Sequence, residues 1–583
     1  MIRRIRLQSS LGGLIGLVLL APQTSLAALD EVTTTAERRE AVLQKVPVSI
    51  TALTEDQLEK RRVQVVTDIG QNVPNMLTTF SSSSPQNTRI FLRGLGQSET
   101  TMPTAEPSVG IYVDDVYVAR ANGANQRLVD IERVEVLRGP QGTLYGRNTI
   151  SGAMKFVTRK PDEDARADAS VAVGNYNLID AKVSGKTPFA GDNWAVGGSA
   201  TYYERDGIWT RYSAPGASTG EEVGAREYGG ARAEIAYIGS DRFDAFASVS
   251  YVDDKSDALY LTPIDDNQVP LTGGDLFTTL TSQDQFADTE QVNADLTLRW
   301  DLGGWEIKSI TGFRTLDNDS LIDISGQNSW YIDTKVSSDQ FSQELQALGT
   351  SFDESLEWIV GAYYLREEAD VDTLNTIAGI FTNQQIYTQE LDSYAVFAQA
   401  TWYFVPNVGL TLGGRYTVDD KSLAGEVIGM GPPSWVSGST SNSKDWSEFT
   451  PKIGLDYQVN DDTLIYAYVA QGFQAGGFQA RAFSVIDLDE SYDPTTVWTY
   501  EMGAKMELID NRVRVNASFF HNDFEDLQLT SLNEEQGGGT IVQNAAEATV
   551  HGFELEVMTQ PIESVNIWGT LSTAWSNYQK LDS

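Results

Sequence analysis

Residues 134–161 read VEVLRGPQGTLYGRNTISGAMKFVTRKP, and this stretch decides the fold. Val134 and Val136 alternate with Glu135 and Leu137, the period of a strand, and the run stops at Arg138-Gly139-Pro140. A turn follows in which Gly142, Gly146 and Gly152 supply positions where a positive φ carries no steric cost. A second short strand, 154–158, closes the unit. It is not a phosphate loop: no Gly-Lys-Ser/Thr follows Gly142 and no helical period opens after it.

Bulk composition narrows what surrounds this unit. The chain has 583 residues, enough for several ordinary domains or one large barrel with a small companion. With no cysteine, disulfide frameworks and thiolate metal sites are excluded. Only two histidines occur, His521 and His551, in separate strand-like segments, which leaves little for imidazole catalysis or a zinc site. A formal charge of −39 argues against a nucleic-acid partner. Pairs such as Asp114-Asp115, Asp253-Asp254 and Asp419-Asp420 read as solvated turns and strand ends rather than acid/base sites. No apolar run reaches the 18 residues of a spanning helix, but spanning strands alternate and escape that test.

Residues 1–27 read as an export signal: Arg3, Arg4 and Arg6, a short apolar core over 11–20, then small residues at 25–27. Further on, 46–53 reads as a strand, and Thr54-Glu55-Asp56-Gln57 as a capping box opening a helix through Arg61. A second short helix is expected over 67–73, stopped by Pro74. Strands are expected at 88–93, 109–113 and 116–119, a small mixed α/β pattern.

Beyond residue 161 the pattern becomes sustained alternation. Val292, Ala294, Leu296, Leu298 and Trp300 interleave with Asn293, Asp295, Thr297 and Arg299. Tyr394, Val396, Ala398, Ala400, Trp402 and Phe404 do the same, less cleanly, against Ser393, Gln399 and Thr401. One apolar and one polar face suits a barrel facing lipid outside and water inside, though a soluble sandwich also alternates. Connections separate the two: short turns near 191–192, 239–240, 303–304, 406–407, 461–462 and 510–511 alternate with long polar stretches at 212–227, 259–290, 317–333, 370–389, 429–445 and 479–494. That alternation fits periplasmic turns and extracellular loops, and in a bilayer only a closed barrel pairs every strand's backbone. About 17 candidate strands lie between residues 165 and 581, against about 22 in plugged outer-membrane transporters. The expectation is a chain lacking about five C-terminal strands.

The 134–161 run resembles the end of the plug domain of TonB-dependent outer-membrane receptors. So do YAYVAQGFQAGGF at 466–478, YEMGAK at 500–505, and the Asn544-Ala545-Ala546 and Gly552-Phe553-Glu554-Leu555-Glu556 segments, which resemble late-barrel signatures. The resemblance implies a β-rich protein with a small α/β plug domain inside a large antiparallel transmembrane β-barrel. It divides the chain into signal peptide 1–27, TonB box and linker 28–39, plug 40–161 and barrel 162–583. Asp30, Glu31, Val32, Thr33, Thr34, Thr35 and Ala36 resemble the TonB box, with threonines where the family often has valine. A β-branched segment of this kind can add as a strand to a partner's sheet edge. The box is expected to follow the leader directly, with no signalling extension before it.

The resemblance further implies import of a scarce nutrient across the outer membrane of a Gram-negative cell, driven through TonB and its inner-membrane energising complex. An iron-siderophore is the first expectation for cargo, with haem, cobalamin and oligosaccharide as alternatives. No cofactor or metal resident in the protein is expected, and the partners are TonB, outer-membrane lipid and an iron chelate. Arg93 and Arg138 resemble residues that lock plug to wall, with Glu501 as their carboxylate partner. Gln97, Met102, Tyr260, Trp330, Tyr331, Trp435 and Phe473 are the candidate cargo-binding residues. The rival readings are a passive porin-like barrel, which needs neither plug nor TonB box, and a truncated, non-transporting barrel.

Overall fold

The computed structural model describes residues 29–581, apart from 82–83, 98–101, 126, 191–192, 267, 433–434, 480, 534–538 and 563. The expected export signal, Ala28 and the 191–192 turn lie outside the described residues.

The N-terminal unit is built on a five-stranded sheet in the order Ile50–Thr54, Ile131–Arg138, Gly152–Thr158, Val109–Val113, Val116–Val118. Gly152–Thr158 is central, pairing antiparallel with Ile131–Arg138 and parallel with Val109–Val113. The 134–161 run is thus the middle of the sheet, and its glycine turn connects the two strands. Thr54 caps the helix Glu55–Lys60 in a capping box with Gln57, as expected, while 66–72 forms a 3₁₀ rather than an α-helix. Leu53, Val134, Val136, Met154 and Phe156 pack with Leu58, Ile69 and Leu92 in one buried cluster. The first strand begins at Ile50, four residues later than its sequence pattern suggests.

Residues 166–581 contribute 17 strands to one continuous sheet, paired in chain order and antiparallel throughout. Its outermost strands, Arg166–Val173 and Val565–Leu581, each pair on one side only among the described residues. The wall is inside-out relative to a soluble protein. Tyr394 and Val396 are 52% and 61% exposed, while Ser393 and Gln399 are buried. The alternating apolar face therefore meets lipid and the polar face meets the plug, which bonds wall residues from Asp180 (Arg127 side chain) round to Ser572 (Asn75 backbone N–H).

The long polar stretches are corrected by the structure. Residues 317–333, 370–389 and 429–445 are mostly strand, not loop. Trp305–Asp323 pairs with Trp330–Ser351, Leu356–Ile377 with Phe381–Val405, and Val408–Met430 with Gly438–Asn460. In these arms the inner face stays buried, with Asn383, Gln385, Tyr387 and Gln389 at 2% exposure or less, but it is largely polar. The outer face carries Asp370, Asp372 and Thr388, so the ladder runs on without the apolar alternation that marks a spanning segment. Asp114-Asp115 is the second correction. Both carry a positive φ in a turn but neither is solvated: Asp114 accepts from Thr158 and Arg232, and Asp115 pairs with Arg38, Lys155 and Lys308.

The two ends of the wall differ. Tight turns at 352–355, 406–407, 461–462 and 510–512 lie at one end. The described N-terminus sits there too, since Leu29 N donates to the Asn511 carbonyl at 2.8 Å and Arg39 donates to the Gly349 carbonyl at 3.1 Å. The plug loop 102–106 lies toward the long arms, where Tyr492 Oη donates to the Thr104 carbonyl at 2.5 Å.

Candidate functional site

Three buried ion clusters join plug to wall. In the first, Arg93 follows strand Thr88–Leu92 in a left-handed conformation and is 1% exposed. It donates to Glu501 Oε2 at 2.6 Å and, through Nε and Nη2, to both oxygens of Glu554 at 2.9 and 2.8 Å. Its guanidinium also lies 4.2 Å from the Phe520 ring centre. Arg138 ends the strand Ile131–Arg138. It pairs with Glu554 at 3.0 Å and Glu556 at 3.1 Å, and donates to Thr51 Oγ1 at 2.7 Å. Glu501 Oε1 accepts from Ser49 and Tyr466, and Oε2 from Tyr468. Burial opposes charge on Arg93, but the facing Glu501 and Glu554 outweigh it and hold the guanidinium firmly protonated. Gly139 makes room for this packing: a Cβ there would lie 2.8 Å from Arg93 Nη1 and 2.9 Å from Tyr468 Oη.

The structure brings Arg93, Arg138 and Glu501 into one cluster, but Glu501 pairs with Arg93 alone, Arg138 pairing instead with Glu554 and Glu556. The sequence reading missed Glu554, Glu556, Tyr466 and Tyr468. The available signal was strict alternation at 554 and 556, which puts both carboxylates on the polar face.

The second cluster lies beneath the loop 102–106. Plug residue Glu106 accepts from Arg147 at 2.9 Å, from Asn148 at 2.6 Å and from wall residue Lys421 at 2.5 Å. Asp419 faces Arg147 at 3.3 Å, and Arg120 donates to Glu367 and the Pro103 carbonyl. Burial alone would raise the Glu106 carboxyl, but Arg147, Lys421 and Arg120 hold it down to about 2. Nothing in the one-dimensional pattern pairs these residues.

The third cluster holds the N-terminal segment. Thr33–Thr34 is a two-residue strand against Ala41–Val42. Glu135 accepts from Thr34 Oγ1 at 2.9 Å and from Thr35 N at 3.1 Å, and Lys155 donates to Thr35 Oγ1. Arg38 bridges Asp115 and Glu344 at 3.1 and 3.4 Å. Val32, Thr34 and Ala36 are buried, whereas Asp30 and Glu31 are not.

The seven candidate cargo residues do not form one surface. Met102 packs with Tyr387, Trp446 and Phe478. Trp330 and Trp435 both face Phe483, at 6.5 and 4.9 Å between ring centres. Tyr331 donates to Asn328 at 2.6 Å in the hairpin beside Trp330. Tyr260 is 1% exposed, its hydroxyl accepting from Gln285 N and Arg211, so it supports a loop from beneath. Phe473 and Gln97 are also buried.

The polar interior, the filled lumen and the tethered N-terminus have counterparts among known proteins. A family profile described as "TonB dependent receptor-like, beta-barrel" matches residues 228–583, and one described as "TonB-dependent Receptor Plug Domain" matches residues 42–153. The chain belongs to the TonB-dependent receptor family. Among curated proteins, the receptor is 23% identical to the pesticin receptor of Yersinia enterocolitica over 564 residues, covering 94% of this chain and 78% of that protein. Among solved structures it is similar to the ferric yersiniabactin uptake receptor FyuA from Yersinia pestis, with a TM-score of 0.77 at 20% identity over 91% of this chain and 79% of that one. It is also similar to the siderophore receptor PiuA from Acinetobacter baumannii, with a TM-score of 0.75 at 17% identity over 96% and 82%. The receptor is thus an outer-membrane transport protein of the Gram-negative envelope and not an enzyme.

Proposed function

We propose that the receptor imports a ferric siderophore across the outer membrane, with TonB drawing on residues 30–36 to displace the plug. The observation that carries this reading is the plug itself: it occupies the lumen, is held by buried ion pairs, and carries a β-branched N-terminal segment folded at the short-turn end. A passive pore has no use for such an arrangement. Ion pairs of this kind hold while dry and are readily exchanged for water once pulled apart, which suits a stopper that must move and reseat. In this reading Arg93 and Arg138 with Glu501, Glu554 and Glu556 form the lock. Cargo meets the loop 102–106 and the aromatic groups around Trp330, Trp435 and Phe483. The siderophore receptors among the structural neighbours support iron chelates ahead of haem, cobalamin or oligosaccharide.

The test is uptake of radio-iron presented as catecholate, hydroxamate and phenolate chelates, in a host lacking its own receptors, with and without TonB. TonB-dependent accumulation of at least one chelate, abolished by deleting residues 30–36, is expected. Accumulation that is indifferent to TonB would overturn the mechanism.

A further inference from the structure

We propose that His521 and His551 form a site for one divalent transition-metal ion of the kind imidazole binds, Cu²⁺, Zn²⁺ or Ni²⁺, on the outer face of the wall. The inference is independent of cargo and of TonB.

The two histidines are far apart in the chain, and the register brings them together. His521 and His551 are direct partners in the pairing of Val513–Asn533 with Gly539–Ile562. Their ring centres are 6.2 Å apart, with planes 29° from parallel. They are the only histidines among 583 residues. A strand residue has at most two direct cross-strand neighbours, so two histidines placed at random in this chain would face each other about once in 300.

The pair sits in a row of four rings that crosses adjacent strands: Tyr500, His521, His551 and Trp575, with successive ring centres 6.2, 6.2 and 5.7 Å apart. One step toward the short turns, the same face carries Met502, Phe519 and Phe553. One step the other way it carries Asp523, Thr549 and Asn577. From Arg512 at the turn to His521, a strand tilted by about 40° rises about 23 Å, close to the height of the apolar band. The row therefore marks the outer edge of that band, where water reaches an ion. Tyrosine and tryptophan are the usual residues of such a girdle, and they hold its two flanking positions. The two central positions differ in carrying ring nitrogens with an open lone pair. Both imidazoles are exposed, and neither has a hydrogen-bond partner among the described residues, so no nitrogen is committed elsewhere.

Two facing imidazoles also select the metal. Ca²⁺ and Mg²⁺ require oxygen donors, whereas imidazole suits copper, zinc and nickel. Binding one ion requires the two rings to turn a nitrogen toward each other, which facing Cβ atoms about 5 Å apart and exposed side chains allow. Among the described residues no group of three His, Cys, Asp or Glu could hold an ion, so the protein supplies two ligands and water completes the sphere. An ion held this way clips Val513–Asn533 to Gly539–Ile562 at the membrane's outer edge.

The test uses the full chain in detergent micelles, purified without a polyhistidine tag, with millimolar Mg²⁺ present to occupy the many carboxylates. Added Cu²⁺ is expected to give one bound ion per chain whose electron paramagnetic resonance shows coupling to two imidazole nitrogens. His521→Phe and His551→Phe keep the row of rings, and each should abolish the two-nitrogen signal. A second measurement needs no variant. Zn²⁺ titrated to ten times its dissociation constant should slow diethylpyrocarbonate modification of both histidines by about tenfold, read by mass spectrometry. Absence of the two-nitrogen copper signal, the same signal in either phenylalanine variant, or zinc protection of one histidine or neither would each overturn the site. None of these readouts involves transport, so such a result would leave the proposed function standing.

Discussion

Replacing Arg93 with alanine is the sharpest perturbation of the lock. The side chain makes three charge-assisted bonds to Glu501 and Glu554, and all three groups are 1% exposed or less at the side chain. After truncation Glu554 keeps Arg138, and Glu501 keeps only hydroxyl donors from Ser49, Tyr466 and Tyr468. One carboxylate is left buried without a cation, a situation that costs about 3–5 kcal/mol. For a plug of this size, with a urea m-value of about 2 kcal/mol/M, the plug's midpoint falls by about 2 M. The plug lies within residues that contain no tryptophan, the first being Trp194, so a thiol-coupled fluorophore on an introduced cysteine reports it. The wall is followed separately by heat-modifiability, which should not change. A shift below about 0.3 M would mean that the lock contributes little, and the assignment of these residues would fail.

Three further outcomes follow from the same geometry. Val396→Arg, on the lipid face, should destabilise the wall by about 2–4 kcal/mol if it lies near the bilayer midplane, measured by urea unfolding in bilayers. Gly146→Ala forces a side chain into φ +89° against Arg415, and should lower the plug midpoint by at least the 1–2 kcal/mol of left-handed strain, about 0.5–1 M in urea. The Glu106 carboxyl is depressed to about 2 from an ordinary value of 4.5. Its contribution is present above pH 4.5 and is lost as pH falls toward 2, a loss of about 3 kcal/mol. Glu106→Gln should flatten the pH dependence of plug unfolding in that window, and an unchanged slope would refute the assignment.

Local pattern carried far in this chain. The capping box at Thr54 and Gln57 satisfies its own helix start, so the helix was legible. Alternation around Val292 and, less cleanly, around Val396 identified lipid-facing strands because the period-2 pleat is a local property. The polar arms at 317–333 and 370–389 were misread because that signal vanishes when both faces carry polar residues, even though one of them is buried. Asp114 and Asp115 were misread for the opposite reason: a turn usually meets water, and here the wall delivers Arg232 and Lys308 to it. In the cluster around Glu554 the plug arginines were singled out only through a family resemblance, whereas Glu554 and Glu556 were two carboxylates among 81 acidic residues.

By itself the sequence determined which face of the alternating strands is apolar, and that a small glycine-turned unit precedes a large alternating one. Those are properties of neighbours along the chain, set by sterics and by a period of two. Only the tertiary structure decided which charges meet. Arg93 and Glu554 are 461 residues apart, Lys421 and Glu106 are 315 apart, and their pairing depends on how the wall curls round the plug. A buried charge is stable only beside its counter-charge, and that partner is chosen by shape in three dimensions.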